Sequence, residues 1–122
     1  MAEVKYKIIK SGSTKILLRE FHGKVQADDV VESFKYIFEK YIDEDFSGIV
    51  SDFSHAKFAM GISDFQKVLK YIKRTPAIYN FQLAIVVNTP QKTIFPIIAK
   101  TKLKRLNIKP FSTLSAALDW LD

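Results

Sequence analysis

Residues 52–55, Asp52-Phe53-Ser54-His55, set a carboxylate, a hydroxyl and an imidazole within four positions, the group types of a hydrolytic triad. A triad is defined by geometry, and on a strand Asp52 and Ser54 share one side while His55 points to the other. The pair therefore reads better as side chains that hold the backbone N–H groups of the loop that follows. Ser63-Asp64-Phe65-Gln66 fits the S-x-x-[EQ] capping box, in which Ser63 accepts from a free helix N–H and Gln66 reaches back. The other chemistry open to Ser63 is phosphorylation, because a phosphate of about −2 charge is favoured at a helix N-terminus beside Lys67.

Metal and nucleotide chemistry find little to stand on. The two histidines, His22 and His55, have no ligand partner at helical i+4 spacing, and there is no cysteine. Asp28-Asp29 and Asp43-Glu44-Asp45 lack EF-hand spacing and read as a helix start and a solvated turn. No G-x-G-x-x-G or G-x-x-x-x-G-K-[ST] loop occurs. The expectation is a non-enzymatic protein with no cofactor and no metal.

The elements that must position these residues follow from periodicity. With 122 residues, 48% of them hydrophobic, the chain suits one domain, residues 1–122, with a real core. Val4, Tyr6 and Ile8 alternate with Lys5 and Lys7, Ser11-Gly12-Ser13 breaks the pattern and Ile16–Phe21 resumes it, which predicts an antiparallel hairpin. Asp28-Asp29 opens a helix whose stripe is Val30 or Val31, Phe34, Ile37, Phe38, Tyr41 and Ile42. A strand at Gly48–Phe53 and a helix from about Ser63 to Arg74 come next, the latter stopped by Thr75-Pro76. Phe81–Asn88, apolar on both faces, belongs in the middle of a sheet covered on both sides. Thr89-Pro90 starts a helix reaching about Leu106, with Pro96 as a kink or the true start. A strand at Lys109–Phe111 and a helix at Thr113–Leu121 complete the chain. The fold class is α/β: an N-terminal β-hairpin, then α-β crossovers, giving a mostly parallel five-stranded sheet with four helices.

No apolar run approaches the ~20 residues of a membrane span, and Met1–Lys10 reads as strand without a signal-peptide core, so a cytoplasmic protein is expected.

The stretch GIVSDFSHAKFAMGISDFQKVL, residues 48–69, resembles the SpoIIAA-like group of STAS domains, the anti-anti-sigma factors. There a strand ends in a D-[LF]-S type motif, and a loop leads to a helix whose N-terminal serine is phosphorylated by a partner kinase. KYKII, KILLREFHGKV and FSTLSAALDWL sit where that family carries similar elements, so the resemblance spans nearly the whole chain. Aligned on Asp52-Phe53-Ser54, Met60 and Gly61 stand where the switch usually has Asp and the phosphorylated Ser. Ser63 then becomes a shifted acceptor, with Ser54 a further candidate. The resemblance implies a regulatory module that binds a protein partner at the loop and helix start, around Asp52, Phe58, Met60, Gly61, Ile62 and Lys67.

Charge adds a second candidate surface. Residues 1–64 hold 9 basic and 11 acidic side chains, whereas residues 65–118 hold 10 basic and none acidic. At the chain's average about six acids would fall there, so Lys70, Lys73, Arg74, Lys100, Lys104 and Arg105 form either a solvated face or one turned to an acidic partner or anionic ligand. Peripheral contact with an anionic membrane is compatible with this, but no sequence-specific nucleic-acid motif accompanies it. Phe58, Met60 and Ile62 either close over the core or form a contact surface. With Phe95 they could also line a pocket of a few hundred Å³ for a small apolar or anionic, lipid-like ligand, the alternative to the protein-binding role.

Overall fold

The computed structural model of the chain describes residues 2–41 and 43–122; Met1 and Ile42, the latter assigned above to a helical stripe, lie outside the described residues. Strands β1 (Glu3–Ser11) and β2 (Thr14–Val25) pair antiparallel through a tight turn in which Gly12 takes φ 62, a left-handed conformation that glycine adopts without steric cost. Helix α1 (Ala27–Lys40) leads to β3 (Gly48–Phe58), α2 (Ile62–Lys73), a 3-10 segment at Pro76–Asn80, β4 (Gln82–Val86), α3 (Pro90–Lys102), β5 (Ile108–Phe111) and α4 (Leu114–Leu121). The sheet order is β1-β2-β3-β4-β5, parallel at every pairing after the hairpin.

Because each crossover returns one strand further along, right-handed connections place α1, α2 and α3 on a single face. There Leu17, Phe21, Ile49, Phe53, Leu83 and Ile85 meet the helical stripes Val30-Phe34-Ile37 and Phe65-Val68-Leu69-Ile72, with Phe95 and Ala99. The opposite face, Ile16, Leu18, Val50, Ala84 and Val86, is covered by Ala117 and Leu121 of α4. Coverage on both sides is what the apolar run Leu83–Val87 requires. α4 comes so close that a Cβ on Gly48 would lie 2.7 Å from Leu121 Cδ2. No helix among the described residues is long and apolar enough to cross a membrane.

Several boundaries differ from the sequence expectation. β2 and β3 run on together beyond Phe21 and Phe53, through a register shift between Glu20 and His22, as far as Val25 opposite Phe58. Residues 54–58, expected as loop, are thus strand. Their backbone groups find partners on β2, which outweighs a mixed polar sequence. α3 starts at Pro90, continues past Pro96 and stops at Lys102, four residues before Leu106. Its N-cap is Thr89, whose hydroxyl accepts from Lys92 N–H at 3.3 Å. The Lys100 ammonium donates to the carbonyls of Lys104 (3.0 Å) and Leu106 (2.8 Å) in the turn that follows.

Candidate functional site

With β3 extended, its connection to α2 shrinks to residues 59–61, held by Ala59 N–H donating to Val25 O at 2.8 Å. Gly61, in extended conformation (φ −91), is the N-cap of α2, so the helix begins at Ile62. That moves the capping residue. Asp64, at the third helical position, accepts from Gly61 N–H at 2.9 Å, and its charge lies at the positive end of the helix. The expected Ser63–Gln66 box is therefore replaced. Ser63 is exposed in the first turn, and its hydroxyl makes no side-chain hydrogen bond among the described residues.

The three apolar residues of this segment part ways. Phe58 packs edge-on against Phe53 (5.0 Å between ring centroids) and Phe95 (5.1 Å), and half-buried Met60 packs against the same core. Ile62 is 50% exposed. Phe58 and Met60 close over the core, and Ile62 is the apolar group presented to solvent.

Asp52 and Ser54 share a side and bond to each other. Asp52 Oδ1 accepts from Ser54 N–H at 2.9 Å and from its hydroxyl at 2.7 Å, bonds within β3 and not to a following loop, because the strand runs on to Phe58. Lys92 Nζ donates to Phe53 O (3.1 Å) and Asn88 Oδ1 (3.0 Å), while the Asn88 amide donates to Ser54 O at 3.0 Å. Partial burial pushes the Lys92 ammonium below its ordinary pKa, against the opposing pull of Asp52. His55 takes no part in this network. Its ring stacks on His22, its register partner, at 5.1 Å and 1° between planes, and His22 Nε2 lies 2.6 Å from Glu20 Oε1. Among the described residues no three His, Cys, Asp or Glu side chains group to hold a metal ion.

The basic residues divide. Lys67 pairs with Asp28 at 3.2 Å beside Met60 and Asp64, close to Ser63. Lys73, Lys102, Lys104 and Arg105 gather with Tyr79 around a groove at the far end of α2, about 15 Å along the helix from Ser63. Lys100 is occupied in capping the turn after α3. The basic face is thus not one surface beside the β3–α2 connection, because α2 and α3 each carry most of their cations at the C-terminal end.

Arg19 is the group that sequence reading missed. It is 2% exposed, on the core face of β2, with Nε donating to Ser51 Oγ at 2.7 Å and Nη1 to Ser33 Oγ at 3.1 Å. Ser33 in turn bonds Tyr6 Oη at 2.8 Å. The Leu17-Arg19-Phe21 alternation was the available signal, since it directs Arg19 inward. Burial lowers its pKa to about 10, an effect that Tyr6 opposes. Beside it lies an apolar cavity of about 50 Å³, lined also by Phe58, Met60 and Phe95 but not Ile62. That is well short of the few hundred Å³ expected for a lipid-like ligand, and the carrier alternative gains no support from it.

No protein-family model matches the chain, and no curated protein matches it. Solved structures do. An uncharacterised DUF3478-family protein with a SpoIIAA-like fold from Shewanella loihica PV-4 aligns over 100% of this chain and 96% of its own, at TM-score 0.73 and 18% identity. An anti-sigma factor antagonist from Mycobacterium paratuberculosis aligns over 98% and 94%, at TM-score 0.57 and 10% identity. The anti-sigma factor antagonist SpoIIAA in its unphosphorylated form aligns over 95% and 96%, at TM-score 0.54 and 14% identity. The chain has a SpoIIAA-like fold.

Proposed function

We propose that this chain is a non-enzymatic regulatory module that binds another protein through the β3–α2 connection and the first turn of α2. The observation that carries this reading is the pairing of Ile62, 50% exposed, with the exposed hydroxyl of Ser63, which makes no hydrogen bond among the described residues, on a helix start fixed by Asp64. An apolar side chain on a rigid element gives a partner something to bury, and the adjacent serine gives a kinase something to modify. Sharing the fold of proteins described as anti-sigma factor antagonists supports the same role. Ser63 is a better acceptor than Ser54, whose hydroxyl is already committed to Asp52.

The test is affinity capture with immobilised chain from its own cells. Wild type is expected to retain a protein partner that folded Ile62→Asp and Ser63→Glu variants both release; equal recovery by all three overturns the reading. Mass spectrometry of the native protein is expected to find phosphate on Ser63, and its absence there under all growth conditions would retire the phosphoswitch.

A further inference from the structure

We propose that the open edge of β1 and an acidic stripe of α1 beside it form a docking groove for an extended basic segment of a partner protein, which adds to the five-stranded sheet as one more strand. β1 ends the sheet. Its nine residues pair with β2 alone, so every second residue turns its backbone N–H and C=O to the open side. A groove of about 420 Å³ lies between Val4 and Tyr6 of β1 and the residues Asp29, Glu32, Tyr36 and Glu39 of α1. Spacings of three, four and three put those four on one face of the helix, next to the stripe Val30-Phe34-Ile37 that enters the core.

The groove has both charge and shape for a cation. Three carboxylates line it against one ammonium, that of Lys35, whose pair with Glu32 at 3.4 Å is exposed and weak. Glu39 has no ion pair among the described residues. Glu32 and Glu39 stand about 10 Å apart along the helix with Tyr36 between them. Tyr36 is 43% exposed, and its ring rests 4.7 Å from that of Tyr6, whose hydroxyl is fixed to Ser33 Oγ at 2.8 Å. An arginine or lysine side chain over the Tyr36 ring meets a carboxylate on either side, while bonds to β1 hold the backbone that carries it. A second copy of β1 fits poorly, because pairing two such strands gathers Lys5 and Lys7 of both copies on one face. The groove shares no residue with the surface at Ile62 and Ser63, so it stands or fails independently of partner binding there.

The probe is the end-blocked peptide Thr-Arg-Thr-Arg-Thr-Arg-Thr, titrated into the wild-type chain at constant ionic strength and followed by backbone amide NMR. Saturable shifts are expected along β1 and at Glu32, Tyr36 and Glu39, with slowed hydrogen exchange at the outward amides of β1. Two control peptides are expected to bind at least about tenfold more weakly: one with glutamate for arginine, which reverses the charge, and one with proline for threonine, which keeps the charge and breaks the ladder. Glu32→Gln combined with Glu39→Gln changes two exposed side chains outside the core, and is expected to weaken the arginine peptide by at least about tenfold. No saturable shift, equal binding of either control peptide, undiminished binding by the double variant, or shifts confined to Ile62 and Ser63 would each overturn the proposal.

Discussion

Arg19 and Ser51 are register partners across the parallel β2–β3 ladder, and the guanidinium Nε–H donates to the serine hydroxyl at 2.7 Å. The bond is fully buried, so removing the acceptor differs from removing the charge. Ser51→Ala leaves a buried charged donor short of a partner and is expected to cost about 1.5–3 kcal/mol in urea unfolding. Arg19→Met removes the charge itself and is expected to cost less, or to stabilise. The reverse order would mean that the guanidinium is a net stabilising element of the core.

The cap of α2 gives a second contrast. Asp64→Ala loses both the bond to Gly61 N–H and a negative charge at the helix start, and is expected to cost about 1 kcal/mol. Ser63→Ala should stay within about 0.5 kcal/mol, because no cap bond depends on it. Equal costs in thermal or urea unfolding would restore Ser63 as the capping residue.

Neighbouring lysines should also separate. Lys100 serves two carbonyls of the turn after α3, so Lys100→Met is expected to cost about 1 kcal/mol. Lys104→Met, which removes an exposed side chain, should change stability by less than about 0.5 kcal/mol. Similar costs in both would show that the cap bonds carry no weight in solution.

Glu44 contributes to the acid response. Its hydrogen bond from Lys15 at 2.6 Å, followed by that ammonium's charge, holds the Glu44 carboxyl below its ordinary 4.5. Because the folded state lowers this pKa, the stabilisation is complete above 4.5 and is lost as pH falls through the lowered value. The Tm advantage of wild type over Glu44→Gln should therefore shrink as pH falls from 4.5 through the lowered value; a constant difference would remove the pair from the acid response.

The elements were readable because their signals are local. Phe65, Val68, Leu69 and Ile72 carry the helical period, Thr75-Pro76 carries its stop, and Leu83–Val87 carries double burial. Ends were less readable where a distant strand decided them. Residues 54–58 become strand only because residues 22–25 lie alongside, and a single strand's sequence does not record its partner's register.

By itself, the sequence determined the order of elements, the apolar faces and the SpoIIAA-like architecture, and it nominated the segment around residues 54–64 as a candidate site. Tertiary structure decided what each side chain there does. It gave the cap to Asp64, turned Phe58 and Met60 inward, left Ile62 and Ser63 outside, split the basic residues between two ends of α2, and stacked His22 on His55. It also buried Arg19 beside a cavity. The physical reason is separation along the chain: periodicity reports which face a residue takes, whereas a contact between β2 and β3 depends on register, which is fixed only when the whole sheet closes.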